Sequence, residues 1–223
     1  MTPLELTGRA NSHIIQTDSG ALLAERNTAA AFLEMKHQAA QDGIQLRAYS
    51  SYRSFDQQLK IWNDKFSGKR PLYSPEGKLL ECLSLSEEQL IDVILSWSAL
   101  PGGSRHHWGT DMDIIDSASI PENYEVKLLP EEYRQGGVFE KLDRWLETHA
   151  ESFGFFKPYR EYKGGVCEEP WHLSYAPQSK LLLQEHTTEI IRDAILESEM
   201  LGKNAVLERL PELYRRFVIN VCE

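Results

Sequence analysis

Two clusters of metal-ligating residue types stand in well-separated parts of the chain. One is Ser104-Arg105-His106-His107-Trp108-Gly109-Thr110-Asp111-Met112-Asp113 and the other is Glu169-Pro170-Trp171-His172. Two imidazoles and a carboxylate drawn from them can hold a Zn²⁺ and leave its fourth position for water, which separates a catalytic zinc from a structural one. Zinc lowers the pKa of such a water to about 7 and polarises a carbonyl, the two things amide hydrolysis needs at neutral pH. Glu169 precedes the last histidine by three residues, where its carboxylate can take a proton from that water. The residues predict a zinc hydrolase.

Several side chains compete for these roles. His106 and His107 are adjacent and cannot easily both face one ion, and Asp111, Asp113 and Asp116 each offer a carboxylate. Strand alternation places Asp111 and Asp113 on one face, so periodicity does not choose between them. Gly109 lies between His106 and Asp113, a separation that suits a strand-turn-strand bent at the glycine. Arg53 is the candidate for stabilising a developing oxyanion, because a guanidinium offers forked donors and a permanent charge. His13, His37, His149 and His186 are assigned to surface or packing, Trp108 and Trp171 to the core, and Cys167 to a small buried thiol.

The elements that must position these groups follow from hydrophobic spacing. Ala21 to Gln41 reads as a helix stopped by Asp42-Gly43, and Ile44 to Ser51 as a strand that ends just before Arg53. Ser54 caps a helix from Phe55 to about Phe66, and Ser86-Glu87-Glu88-Gln89 opens another that runs to about Ser98. Residues 68–83 form a Gly- and Pro-bearing excursion, either a lid or a plain surface insertion. Met112 to Ile115 is a buried strand, and residues 117–137 read as a polar loop. Phe139 to Phe153 is an amphipathic helix ended by Gly154, while Phe155-Phe156 and Trp171 to Tyr175 join the sheet. From Pro177 on the pattern is helical, with Pro211 at a helix start or kink. The expected fold is α+β, a zinc peptidase domain over 1–177 with a helical extension over 178–223 packed on it.

Composition narrows the function class. A chain of 223 residues, 41% hydrophobic and 26% charged, is an ordinary soluble globular protein with a generous core. A formal net charge of −10 argues against nucleic acid, which needs clustered Lys and Arg. Cys82, Cys167 and Cys222 include no CxxC pair, which points to a reducing compartment and no thiolate zinc site. Met1 to Ala10 carries Glu5 and Arg9 and does not read as a signal peptide, and no run is long and apolar enough for a membrane span. A cytoplasmic location and no membrane partner are the expectations.

At these residues the chain resembles the zinc D-alanyl-D-alanine carboxypeptidase family. That family includes the vancomycin-resistance D,D-carboxypeptidases and dipeptidases, and its fold is shared with lysostaphin-type peptidases and the hedgehog signalling domain. Its Ser-x-His-x-x-Gly-x-x-x-Asp pattern, followed by Glu-x-x-His, is met by Ser104, His106, Gly109, Asp113, Glu169 and His172. The upstream Ser-x-Tyr-Arg-Ser type motif resembles Ser50-Ser51-Tyr52-Arg53-Ser54, with Gln57 or Gln58 following. The resemblance covers roughly Leu6 to Pro177. It implies one zinc on His106, Asp113 and His172, Glu169 as base, and Arg53 near the scissile carbonyl. A small central antiparallel sheet flanked by helices is also implied, with Ser104, Ser51, Gln58 and Asp111 as substrate contacts. Family members often carry a small residue where Asp111 stands, so this carboxylate is expected to shift substrate preference or tune the site. The implied substrate is a short peptide or peptidoglycan fragment ending in D-alanine. The competing readings are an L,D-carboxypeptidase, a peptidoglycan endopeptidase, and a catalytically silent zinc-stabilised binding module.

Overall fold

Residues 111–116 alternate carboxylates with apolar side chains over the first four positions, and they form the strand around which the domain is organised. In the computed structural model, which describes residues 1–17 and 22–222, the chain begins with a short helix, α1 (Pro3–Leu6), and a hairpin of β1 (Ile14–Thr17) and β2 (Leu22–Glu25). Helix α2 (Arg26–Gln41), strand β3 (Leu46–Ser50) and helix α3 (Phe55–Phe66) follow. Next come a two-residue pair, β4 (Leu72–Tyr73) and β5 (Leu79–Leu80), then α4 (Glu87–Leu95) and the organising strand β6 (Asp111–Asp116). Helices α5 (Pro130–Tyr133) and α6 (Glu140–His149) and strands β7 (Phe155–Phe156) and β8 (His172–Tyr175) complete the α+β core. Helices α7 (Ala176–Glu185), α8 (Thr188–Leu196) and α9 (Lys203–Phe217) end the chain.

The main sheet is small and antiparallel, in the order β3-β6-β8-β7. Its register sets the site. Asp113 pairs with His172 across β6 and β8, Asp111 pairs with Ser174, and Ser50 of β3 pairs with Asp113 after a register shift between Ala48 and Ser50. Met112, Ile114 and Leu173 pack with Phe32, Met35 and Ala39 of α2 and Leu142 and Leu146 of α6 in one core. A second core joins Trp62 of α3 and Ile91 and Ile94 of α4 to Ile191, Ile195, Val206 and Leu210 from the last two helices. α3, which borders the site, is therefore braced by the C-terminal helices. Among the described residues no helix is long and apolar enough to cross a membrane.

Local chemistry accounts for the boundaries and for two departures from the sequence reading. Ser54 and Ser86 cap α3 and α4 through reciprocal capping boxes with Gln57 and Gln89. The helix expected over 21–41 begins only at Arg26. Residues 22–25 alternate buried and exposed, as a strand does, and the Glu25 carboxylate caps α2 by accepting from the Asn27 and Thr28 N–H groups. Ala21 lies outside the described residues. The polar loop expected over 117–137 holds α5, and its Glu132 is buried and accepts from Tyr124 Oη and from the Lys127 and Leu129 N–H groups. Tyr133 is buried in the core and Ile120, Val126 and Leu128 pack against it, but these apolar positions follow no helical or strand period. Pro211 sits inside α9.

Candidate active site

His106 lies on a tight 3-10 turn, Arg105–Trp108, rather than on the first arm of the expected strand-turn-strand. Gly109 ends that turn with φ +69°, and a Cβ there would come within 2.4 Å of Ile14 Cδ1 and 2.7 Å of the Glu25 nitrogen. The chain then enters β6, which carries Asp113. Glu169 and His172 are joined by a turn in which the His172 N–H donates to the Glu169 carbonyl at 3.0 Å. These placements bring His106, Asp113 and His172 together, buried, with one donor atom from each lying within 4.8 Å of the others.

The hydrogen bonds choose which ring atom faces the centre. His106 Nδ1 lies 2.9 Å from the Ser51 carbonyl, which can only accept, so the proton sits on Nδ1 and the Nε2 lone pair points inward, 3.6 Å from Asp113 Oδ2. His172 Nδ1 faces Glu169 Oε2 at 3.1 Å and Asp113 Oδ1 at 3.6 Å, while Nε2 faces Asp111 Oδ1 at 3.1 Å. Burial lowers the His106 pKa well below the ordinary value, and Arg53 and His172 add to that. Burial acts the same way on His172, but hydrogen bonds to Asp111 and Glu169 and the charges of Asp113 and Glu169 outweigh it and hold that imidazole up at about 10. Burial pushes the Asp113 carboxyl up to about 6. Neighbouring side chains are therefore driven to opposite protonation states, as at sites that hold cations or move protons.

His107, the competing imidazole, faces away. Its Nε2 accepts from the Gly102 N–H at 3.1 Å, and its Nδ1 donates to the Arg53 carbonyl at 2.6 Å. It ties the 3-10 turn that carries His106 to the segment before α3. His13 and His186 are likewise engaged with backbone carbonyls, those of His107 and Gly102. Asp116 holds the Gln45 and Ala118 N–H groups, away from the cluster. Cys167 is buried, and burial pushes its thiol up to about 12, far from a reactive thiolate.

The cluster opens into a cleft of about 560 Å³, whose lining includes Arg53, Ser104, His106, Asp113, Glu169 and His172. Arg53 donates through Nη1 to Gln58 Oε1 at 2.8 Å and through Nη2 to Ser50 Oγ at 3.0 Å, with Nη2 4.0 Å from Asp113 Oδ2. Trp171, expected in the core, is buried and also lines the cleft. Tyr73 and Arg70 from the 68–83 excursion form part of the wall, as do Val126, Leu128 and Leu129 from the 117–137 segment.

Of the four expected substrate contacts, only Ser104 lines this cleft, and its buried Oγ has no hydrogen-bond partner. The other three support the machinery from behind. Gln58 is fully buried, receives Arg53, and is itself anchored by its Nε2 donating to the Ala99 carbonyl at 2.6 Å. Ser51 offers its carbonyl to His106. Asp111 is 1% exposed and accepts from Arg105 Nε at 2.8 Å, Thr110 Oγ1 at 2.6 Å and Ser174 Oγ at 3.1 Å, besides facing His172. Burial would raise its carboxyl pKa, but Arg105 and His172 hold it below the usual carboxylate range. No motif marked Arg105 and Ser174 as partners. Only the register Asp111↔Ser174 and the tight turn bring them to the same carboxylate.

A sequence profile described as D-alanyl-D-alanine carboxypeptidase matches residues 22–178, most of the chain and every residue of the site. The chain belongs to the D-alanyl-D-alanine carboxypeptidase family. An uncharacterised protein of Haemophilus influenzae is 32% identical over 122 residues, which is 54% of this chain and 93% of the relative. Among solved structures, VanYB in complex with D-alanine-D-alanine superposes with a TM-score of 0.55 at 19% identity, covering 86% of this chain and 92% of the other. A vancomycin-resistance D,D-pentapeptidase VanY in complex with Zn(II) gives a TM-score of 0.52 at 22% identity, covering 80% and 88%. At these identities the likeness is one of fold, and the α+β arrangement with a small antiparallel sheet is common to the family and this chain.

Proposed function

We propose that this chain is a zinc-dependent carboxypeptidase or dipeptidase that hydrolyses the terminal bond of D-Ala-D-Ala-type peptides from the bacterial cell wall. The convergence of His106, Asp113 and His172 at the floor of an open cleft, with Glu169 beside them, carries this reading. Family membership and the Zn(II) and D-alanine-D-alanine complexes of fold relatives support it.

The donor set fits zinc. Two imidazole nitrogens and one carboxylate oxygen are its ordinary ligands, and tetrahedral coordination puts such atoms roughly 3.3 Å apart. Asp113 lies 3.6 Å from His106 Nε2 through Oδ2 and 3.6 Å from His172 Nδ1 through Oδ1, and the three donor atoms lie within 4.8 Å of one another, so a small closure of the cluster reaches that spacing. His106 would bind through Nε2 and His172 through Nδ1, each with its other ring nitrogen on an outer oxygen, the usual way a metal-binding imidazole is oriented. When bound, zinc supplies Lewis acidity and a water that ionises near pH 7.

The remaining chemistry belongs to the chain. Glu169 Oε2 lies close enough to the cluster to accept a proton from the attacking water and return it to the departing amine. Arg53, fixed by Gln58 and Ser50, presents its guanidinium to the carbonyl oxygen as charge develops there. Asp111 acts through His172, accepting from Nε2–H so that Nδ1 remains for the ion.

Replacing Asp111 by alanine is expected to weaken Zn²⁺ affinity about 10–100-fold, the range for losing an outer-shell partner. It also strands the buried Arg105 charge, at about 3–5 kcal/mol of stability. An Arg105→Met/Asp111→Leu double variant should regain stability without regaining affinity. Chelator competition and denaturant midpoints measure the two effects, and unchanged affinity in both variants would remove Asp111 from the metal shell.

The proposed activity is tested by alanine release from D-Ala-D-Ala, a pentapeptide stem and a tetrapeptide stem. Release from the first two, abolished by chelation and restored by Zn²⁺, is the expected result. Release only from the tetrapeptide would assign an L,D-carboxypeptidase, and release from none would end the carboxypeptidase reading.

A further inference from the structure

Residues 157–171 connect β7 to β8 and carry Glu169 near their end, yet they form no helix or strand. A connection of this length with two adjacent glycines, Gly164 and Gly165, has many conformations to lose, so its order must come from contacts elsewhere. At its start Lys157 and Arg160 pair with Glu147 of α6. Near its end the Cys167 N–H donates to the Ser96 carbonyl at 2.9 Å, and Glu168 pairs with Arg134 at the exposed surface, where an ion pair contributes little.

The middle of the connection is held by the end of α9 and the residues after it. Arg216 Nε donates to the Gly164 carbonyl at 3.3 Å, and Asn220 Nδ2 to the Lys163 carbonyl at 2.8 Å. Lys163 Nζ donates in return to the Val221 carbonyl at 3.0 Å. Gly165 packs so closely here that a Cβ would overlap the Arg216 carbonyl oxygen. The Cys222 N–H donates to the Pro158 carbonyl at 2.8 Å, and the next carbonyl along, that of Tyr159, accepts from the Glu169 N–H at 2.9 Å. The Tyr159 ring lies edge-on to His172 with ring centroids 5.0 Å apart, and it shares the second core with Phe217 and Val218. Residues 216–222 thus reach the base through a single intervening segment. They lie beyond the span that the family profile matches, which ends at residue 178.

We propose that residues 216–222 are a positioning clamp for Glu169, fixing the 157–169 connection so that its carboxylate stands where the proton is taken. The proposal rests on the peptidase reading above and gives the helical extension a part in turnover. A reacting group misplaced by about 1 Å can lose roughly a hundredfold in rate even when every ligand remains.

The test uses the zinc-loaded full chain and Gly165→Ala, whose added methyl displaces the connection from Arg216 and touches neither ligand nor base. Alanine release should fall at least about 10-fold in kcat, with KM and zinc content unchanged. Amide hydrogen exchange should quicken over residues 157–169 and stay as in wild type over β6. The deciding measurement adds Glu169→Ala. Once the base is gone, Gly165→Ala should cost nothing further, because its effect runs through that carboxylate. A merely structural effect would multiply with the loss from Glu169→Ala, and that result would overturn the clamp. Wild-type turnover or loss of zinc in Gly165→Ala would overturn it as well. If Gly165→Ala does not fold, Asn220→Ala removes one tether at the surface and carries the same cycle with a loss of about 3-fold. Inertness of wild type on every peptide would instead remove the peptidase reading, and the purpose of the clamp with it.

Discussion

Replacing Glu169 with alanine is expected to lower kcat/KM by about 10²–10⁴, the contribution of a positioned general base, while the protein still binds zinc. The expectation follows from the position of its carboxylate. Oε2 lies 3.1 Å from His172 Nδ1, at the rim of the ligand set rather than within the group of three donors, and the side chain is 11% exposed where the cleft opens. Removing it deletes a proton acceptor and leaves two imidazoles and Asp113 in place. Glu169→Gln keeps the volume and the hydrogen-bonding reach but cannot take the proton, so it should be as inactive as the alanine variant. Metal content by atomic absorption, read beside alanine release, separates chemistry from binding. Hydrolysis at the wild-type rate by both variants would remove Glu169 from the reaction. Equal inertness of wild type and variants on a broad peptide panel would favour the binding-module reading.

The second large effect is on the metal itself. His172→Ala removes a proposed ligand and also the group that links Asp111, Glu169 and Asp113 across the floor of the cleft. Loss of affinity should exceed the roughly 10–100-fold attached to an outer-shell partner, because the remaining imidazole and carboxylate form an incomplete set. The purified variant should retain little Zn²⁺ after dialysis, with activity lost in parallel. His107→Ala is a useful contrast. That ring is wedged between the Gly102 N–H and the Arg53 carbonyl, so its loss should reduce stability while zinc remains. Retention of a full equivalent of zinc by the His172 variant would show the ligand set to be wrong.

Much of the site was legible because its residues lie in short local groups. The spacing from Ser104 to Asp113 and from Glu169 to His172 is preserved in any fold that keeps those turns, so motif and chemistry agreed before any contact was known. Helices α3, α4 and α6 were readable for a similar reason, since caps and amphipathic spacing are local signals. Residues 22–25 were misassigned because Leu22, Leu23 and Ala24 fit the helical spacing that continues into α2, and only pairing with β1 makes them a strand. The segment over 117–137 was undervalued for want of periodicity. Its order comes from Glu132 collecting nearby donors, which composition does not reveal.

The family and the residue types that could grip a metal were readable in the sequence, because each depends on chemistry carried within a few consecutive positions. The tertiary structure alone decided what each neighbour does. His107 and Asp111 both stand beside candidate ligands and both look available in one dimension. Backbone direction turns one into a brace between segments and the other into the partner behind His172. Gln58 and Ser51 moved in the same way from the substrate to the support of Arg53 and His106. Strand register and turn geometry aim side chains, and aim depends on contacts between parts of the chain that no local spacing encodes.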